Sequence, residues 1–139
     1  MEEPRREKTV NYTAYIPFAL PDLNSYNRTS RSPQVGAIMA NRIKQDTESI
    51  ICACLPYRKG WDPQYPLRIS FIWHVVSRKK DLDNIAFGQK FILDALQKKG
   101  IIKGDGMKYI AEINHRYQLG SENGVTIELQ EIQDEAPEK

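Results

Sequence analysis

The chain has 139 residues, 40% of them hydrophobic, and carries 20 Lys and Arg against 18 Asp and Glu, a net charge of +2. That length buries a core in one domain without disulfides or metal staples, and no stretch approaches the ~18 apolar residues of a membrane span, so no membrane partner is expected. The first residues, Met-Glu-Glu-Pro-Arg-Arg-Glu, lack the apolar core of a signal peptide, and a cytoplasmic location is expected. The small net charge hides a gradient, because setting aside the first eight residues and the last nine leaves 16 basic and 11 acidic. Such a surplus suits phosphate contacts.

Residues 1–8 read as a flexible N-terminus and 132–139 as an acidic flexible tail, with one domain over 9–131 between them. The alternating run T-V-N-Y-T-A-Y-I at 9–16 predicts a strand, ended by Pro17. The segment to Pro33 carries Pro21, Asn24, Ser25, Asn27, Ser30 and Ser32, turn residues on a long loop. Its Tyr26, Arg28 and Arg31 are of the types that stack on bases or grip phosphates. From Gln34 to Cys54 a helical rhythm through Val35, Met39, Ile43, Ile50 and Cys54 predicts a structural helix. Cys52 and Cys54, two apart on that helix, point in different directions and read as idle thiols rather than a redox or zinc pair.

Pro56–Pro66 reads as a loop whose Trp61 covers the core. Leu67, Ile69, Phe71, Trp73 and Val75 alternate with polar residues and predict a strand with one buried face. After Asp105, Tyr109, Ala111, Ile113, His115 and Tyr117 predict a third strand, and Val125, Ile127 and Leu129 a fourth, joined through the turn at 119–124 as a hairpin. His74 and His115 lack metal-ligand spacing and read as half-buried strand residues.

Most of the chemistry lies between Lys79 and Asp105. From Asp83 to Lys99 the apolar residues Ile85, Ala86, Ile92, Leu93 and Leu96 recur at helical spacing, predicting one helix whose opposite side carries a stripe of Asp83, Lys90 and Asp94. Phe87 and Phe91 fall near the polar edge, where they would welcome a partner. Asp83 or Asn84 can cap the first turn, and Gly100 can end the helix in the left-handed conformation. Asp81 and Asp83 flank one leucine at the helix entrance, where free N–H groups and the helix dipole favour negative charge. A helix of 17 residues is roughly 25 Å long, so Asp105 joins those acids only if the chain returns along it. Three gathered carboxylates call for a hard divalent cation such as Mg²⁺. The basic run Arg78-Lys79-Lys80 abuts them.

D-L-D-N at 81–84, Lys90, D-A-L-x-x-x-G from Asp94 to Gly100, and Asp105 resemble the signature of the RusA family of Holliday junction resolvases. Pro17 followed by L-P-D-L-N-S-Y-N-R at 20–28 resembles the segment after that family's first strand. The interval from Asp83 to Lys90 is longer than in other members, and Gly104 stands where some carry a further acid. The resemblance implies a homodimeric, Mg²⁺-dependent endodeoxyribonuclease, Mn²⁺ substituting, with no organic cofactor. Asp81, Asp83 and Asp105 would be the metal-binding catalytic acids and Lys90 an essential cation. Its partner would be a DNA four-way junction, cut by paired symmetric nicks in recombination and repair. Asn24, Tyr26, Arg28, Arg31, Arg78, Lys79, Lys80 and Asn84 are the expected DNA contacts. The element order gives an α+β fold, a small mixed β-sheet of about four strands covered by two helices. Two alternatives share it: a flap- or fork-specific nuclease, and a non-catalytic DNA-binding dimer in which the acids cap a helix and pair with Lys79, Lys80 and Lys103.

Overall fold

The computed structural model describes residues 11–22, 26–28, 31 and 35–132. The first predicted strand is β1 (Asn11–Ile16); residues 9 and 10 lie outside the described part, as do Asn24 and the terminal segments. Tyr12, Ala14 and Ile16 are buried while Asn11, Thr13 and Tyr15 are exposed, as a pleat with apolar residues at every second position requires. β2 (Leu67–Val75), β3 (Ile110–Leu119) and β4 (Gly124–Glu131) complete a four-stranded mixed sheet in the order β1-β4-β2-β3. With helices α1 (Gly36–Cys54), α2 (Leu82–Ala86) and α3 (Gln89–Lys98) the class is α+β.

The expected hairpin of the last two strands is absent: β4 pairs antiparallel with β1 and β2, and β3 pairs parallel with β2. Four residues, 120–123, cross the end of β2, where the Gly120 N–H donates to the Val75 carbonyl at 2.8 Å. Burial explains the choice. Ile69, Phe71, Val125, Ile127 and Leu129 are at most 1% exposed, so β2 and β4 take the centre together. The inward row of β3, Ile113, His115 and Tyr117, contains two polar-tipped residues and suits an edge. A parallel β2–β3 pair needs a crossover, and α2 and α3 supply it.

α1 spans the predicted segment but buries a different stripe. Gly36, Ala40, Thr47, Glu48 and Ile51 face the interior, and Val35, Met39 and Ile50 are exposed. The small residues Gly36 and Ala40 permit a close approach that the bulkier stripe does not. Trp61 does cover the core, donating from Nε1 to the Ile101 carbonyl at 2.8 Å and tilting against Tyr12. Cys52 and Cys54 form no disulfide, and the Cys52 thiol donates to the Ala95 carbonyl at 3.8 Å.

The helix predicted over 83–99 is two helices with a tight turn at Phe87–Gly88, where Gly88 N–H and Lys90 N–H reach carbonyls only three residues back. Gly88 is buried, and a Cβ there would lie 3.0 Å from Leu20 Cδ1 and 3.3 Å from Trp73 Cη2, so the break lets the chain press against both. Asp83 therefore lies on a different helix from Lys90 and Asp94. Phe91 is not at a polar edge: it is 1% exposed, and with Phe87 and Tyr26 it forms an aromatic cluster with ring centroids 5.5–6.1 Å apart. The ending at Gly100 is as expected. Its φ is +75°, its N–H donates to Gln97, and the Ile101 N–H reaches back to Leu96 at 2.9 Å, the paired bonds of a Schellman motif.

Candidate active site

β2 carries the chain to Arg78, Lys79 and Lys80, all exposed. The Lys79 backbone N–H donates to Ser77 Oγ at 3.1 Å, and Lys80 Nζ holds Asp22 Oδ2 at 2.7 Å, tethering the loop after β1. Asp81 occupies the N-cap of α2 without a side-chain cap bond. Asp81 and Asp83 are exposed, whereas Asn84 is buried, 8% exposed. The Tyr117 hydroxyl donates to the Leu82 carbonyl at 3.3 Å. Burial, and secondarily the charge of Asp83, push the Tyr117 phenol up.

The returning chain brings Asp105 to the first half of α3. A cavity of about 360 Å³ is lined by Gln89, Lys90, Leu93, Asp94, Asp105 and Ile113. Lys90, four residues before Asp94, shares this wall by ordinary helical spacing. The Oε1 of Gln89 is buried there without a hydrogen-bond partner. Gly104 shapes the loop before Asp105: a Cβ would come within 2.7 Å of the Tyr109 ring, which stands edge-on to Tyr65 at 5.1 Å. An acid at position 104 would displace that ring.

The two halves are joined by the open row of β3. Ile113 lies at the Asp105 end and Tyr117 at the Asp83 end, four residues apart and so roughly 13 Å along the strand. His115 stands between, its ring stacked on Phe71 at 5.3 Å. Trp73 Nε1 donates to His115 Nδ1 at 2.9 Å. Although His115 lies on the open edge, this packing buries the ring enough to lower its pKa. Asp81, Asp83 and Asp105 thus share one sheet edge but not one point. Among the described residues no three His, Cys, Asp or Glu side chains gather closely enough to hold a metal.

Sequence reasoning missed Glu48. It is 4% exposed at the seam between α1 and α3, with Lys98 Nζ at 3.0 Å and Lys44 Nζ at 3.5 Å. Lys44 also reaches Asp94 Oδ2 at 3.6 Å, so one ammonium lies between the two carboxyls. The Lys44–Glu48 spacing of four was the available signal. Tyr26 is half-buried in its aromatic cluster, while Arg28 and Arg31 are exposed. No protein-family model matches the chain, and no curated protein matches it.

The donors that line the Asp105 end are hard oxygens, the carboxylates of Asp105 and Asp94. That set suits Mg²⁺ or Mn²⁺ and not a thiophilic ion. Asp81 and Asp83 offer the same chemistry at the other end of the row.

Proposed function

We propose that this chain is a Mg²⁺-dependent, structure-specific endodeoxyribonuclease of the RusA type that acts as a homodimer on four-way DNA junctions. The observation that carries the reading is the return of Asp105 to the wall occupied by Lys90, downstream of exposed Asp81 and Asp83 at the head of the crossover. It adds spatial support to a resemblance in sequence. Asp105 at the Ile113 end of the β3 row, and Asp81 with Asp83 at its Tyr117 end, would hold divalent ions, which would supply a water of lowered pKa and charge stabilisation at the phosphate. Lys90 presents an ammonium to the same wall, placed to stabilise charge developing on the phosphate or leaving oxygen. Arg78, Lys79, Arg28 and Arg31 offer exposed cations for the flanking backbone. The exposed apolar shoulder of α1, with Val35 47%, Ile38 64% and Ile50 51% accessible, offers a face for the second copy, and a twofold dimer gives the two equivalent sites that paired nicks require.

The separation of Asp83 from Asp105 along β3 favours one other reading, a DNA-binding dimer without catalysis. Asp105→Asn, which keeps shape and removes charge, separates the two. The nuclease loses Mg²⁺-dependent cleavage of a four-way junction by about 100-fold or more and still binds it. A binding protein shows no cleavage to lose. A linear duplex and a flap assayed beside the junction set the substrate class.

A further inference from the structure

A second cavity, of about 270 Å³, opens beyond the carboxyl end of β2. Trp73, Val75 and Val125 line it together with a wall from the loop after β1, Phe18, Leu20 and Asp22. The wall is fixed in place: Lys80 grips Asp22 at 2.7 Å, and Leu20 packs against the bare backbone of Gly88. The cleft is therefore preformed. Its volume falls below the ~300–1,000 Å³ of pockets that take drug-sized ligands, leaving room for a single planar ring system.

Polar groups converge on its rim. Lys79 and Asn123 line the cleft and are both exposed. Among the described residues the Lys79 ammonium has no ion-pair partner, in contrast to Lys80. Apolar walls with an aromatic ring, an amide able to donate and accept, and a free cation at the mouth are the features that recognise an unstacked nucleotide: a π-face, a base edge and a phosphate. Asp81 follows Lys79 by only two residues, so a strand whose phosphate rests on Lys79 continues directly toward the candidate acids.

We propose that this cleft receives the base of one unstacked nucleotide in a DNA strand, with Asn123 on the base edge and Lys79 on its phosphate. The inference rests on the nuclease reading for its partner, DNA, but is tested without cleavage. Val76 lines the mouth and is 50% exposed, so Val76→Trp closes the cleft from outside without entering the core.

The experiment is a titration of the ¹⁵N-labelled protein, in EDTA, with a single-stranded hexanucleotide and separately with free deoxynucleoside 5′-monophosphates, followed by amide and indole NMR. The two indoles report separately, since Trp61 lies in the other half of the core against Tyr12. The expected result is movement of the Trp73 indole and the Val76, Ser77 and Asn123 amides with Trp61 still. Val76→Trp weakens binding about tenfold, and Lys79→Gln lowers the slope of log K against log salt by about 0.7. An unmoved Trp73 indole, or Val76→Trp binding like wild type, overturns the cleft even if junctions are cleaved. A mononucleotide that binds as tightly as the strand overturns the assignment to DNA. Loss of junction cleavage with these shifts intact would instead sink the nuclease reading and leave the cleft.

Discussion

Lys44 bridges the carboxyl groups of Glu48 and Asp94 across the seam of α1 and α3, 3.5 Å from the first and 3.6 Å from the second. Two carboxyls gathered on one ammonium titrate as a pair. For Asp94, burial and then the neighbouring Glu48 carboxyl raise the pKa. For Glu48, burial pushes upward, but the Lys98 hydrogen bond and the Lys44 charge more than offset it and the net shift is downward. Glu48 is thus the stronger acid of the two. Because Asp94 also lines the cavity with Lys90 and Asp105, the pair sits behind the candidate site.

A pH dependence of stability follows. A raised acid stabilises below its unfolded pKa, and that contribution is lost as pH rises through the folded value. A lowered acid stabilises above its unfolded pKa and loses that contribution as pH falls through the folded value. Stability is therefore greatest in the mildly acidic window between the two, and urea unfolding between about pH 4 and pH 8 reads the curve. Asp94→Asn carries no charge at any pH and removes the decline on the alkaline side. Glu48→Gln loses the buried anion and costs about 1–3 kcal/mol near neutral pH.

His115 follows the opposite rule for a base. Its pKa is lowered by burial, so its contribution is present above the ordinary histidine value and is lost as pH falls through the folded one. Trp73 Nε1–H occupies Nδ1, and protonation there breaks that bond. The imidazole resonances of His115, followed by NMR, titrate below those of an unperturbed histidine, and the Trp73 indole proton shifts with the same midpoint. A midpoint at or above the ordinary value contradicts the packing account.

Gly88→Val should cost about 1–3 kcal/mol by overpacking, because the new methyls meet Leu20 and Trp73, already 3.0 and 3.3 Å from the position of a Cβ. Phe91→Ala empties a 1% exposed site and should cost about 3–5 kcal/mol. Chemical denaturation measures both. A neutral result for Phe91→Ala would restore it to a surface edge.

The alternation of Leu67, Ile69, Phe71 and Trp73 and of Val125, Ile127 and Leu129 announced two buried strands, because a pleat repeats every second residue regardless of what it packs on. Gly100 announced its left-handed turn for an equally local reason. What failed was set by distant partners. Nothing near Gly88 in sequence says that Leu20 and Trp73 will press on it, so the helix break was invisible and the stripe of Asp83, Lys90 and Asp94 was drawn on a helix that is not continuous. The short turn at 119–124 reads equally well as a hairpin or as a step over β2. Only the competition of β3 and β4 for the central strand decides it. Glu48 was passed over because a charged residue on a helix usually faces water. The acids were legible as residues, and their division between the Tyr117 and Ile113 ends of β3 was not.

Lys90 tests whether the Asp105 wall is used in chemistry. Lys90→Ala should lower the cleavage rate of a junction by about 100-fold or more, while junction affinity in EDTA changes by less than about threefold. Equal losses in rate and affinity would make Lys90 a backbone contact.

The most direct measurement is cleavage of an end-labelled four-way DNA junction by the wild-type protein, beside a linear duplex and a flap, with Mg²⁺ or with EDTA. Paired symmetric nicks on the junction, dependent on Mg²⁺, are the result predicted. Folded protein that binds the junction and cuts none of the three substrates with Mg²⁺ would contradict the nuclease assignment and leave Asp81, Asp83 and Asp105 as surface charges along the β3 edge.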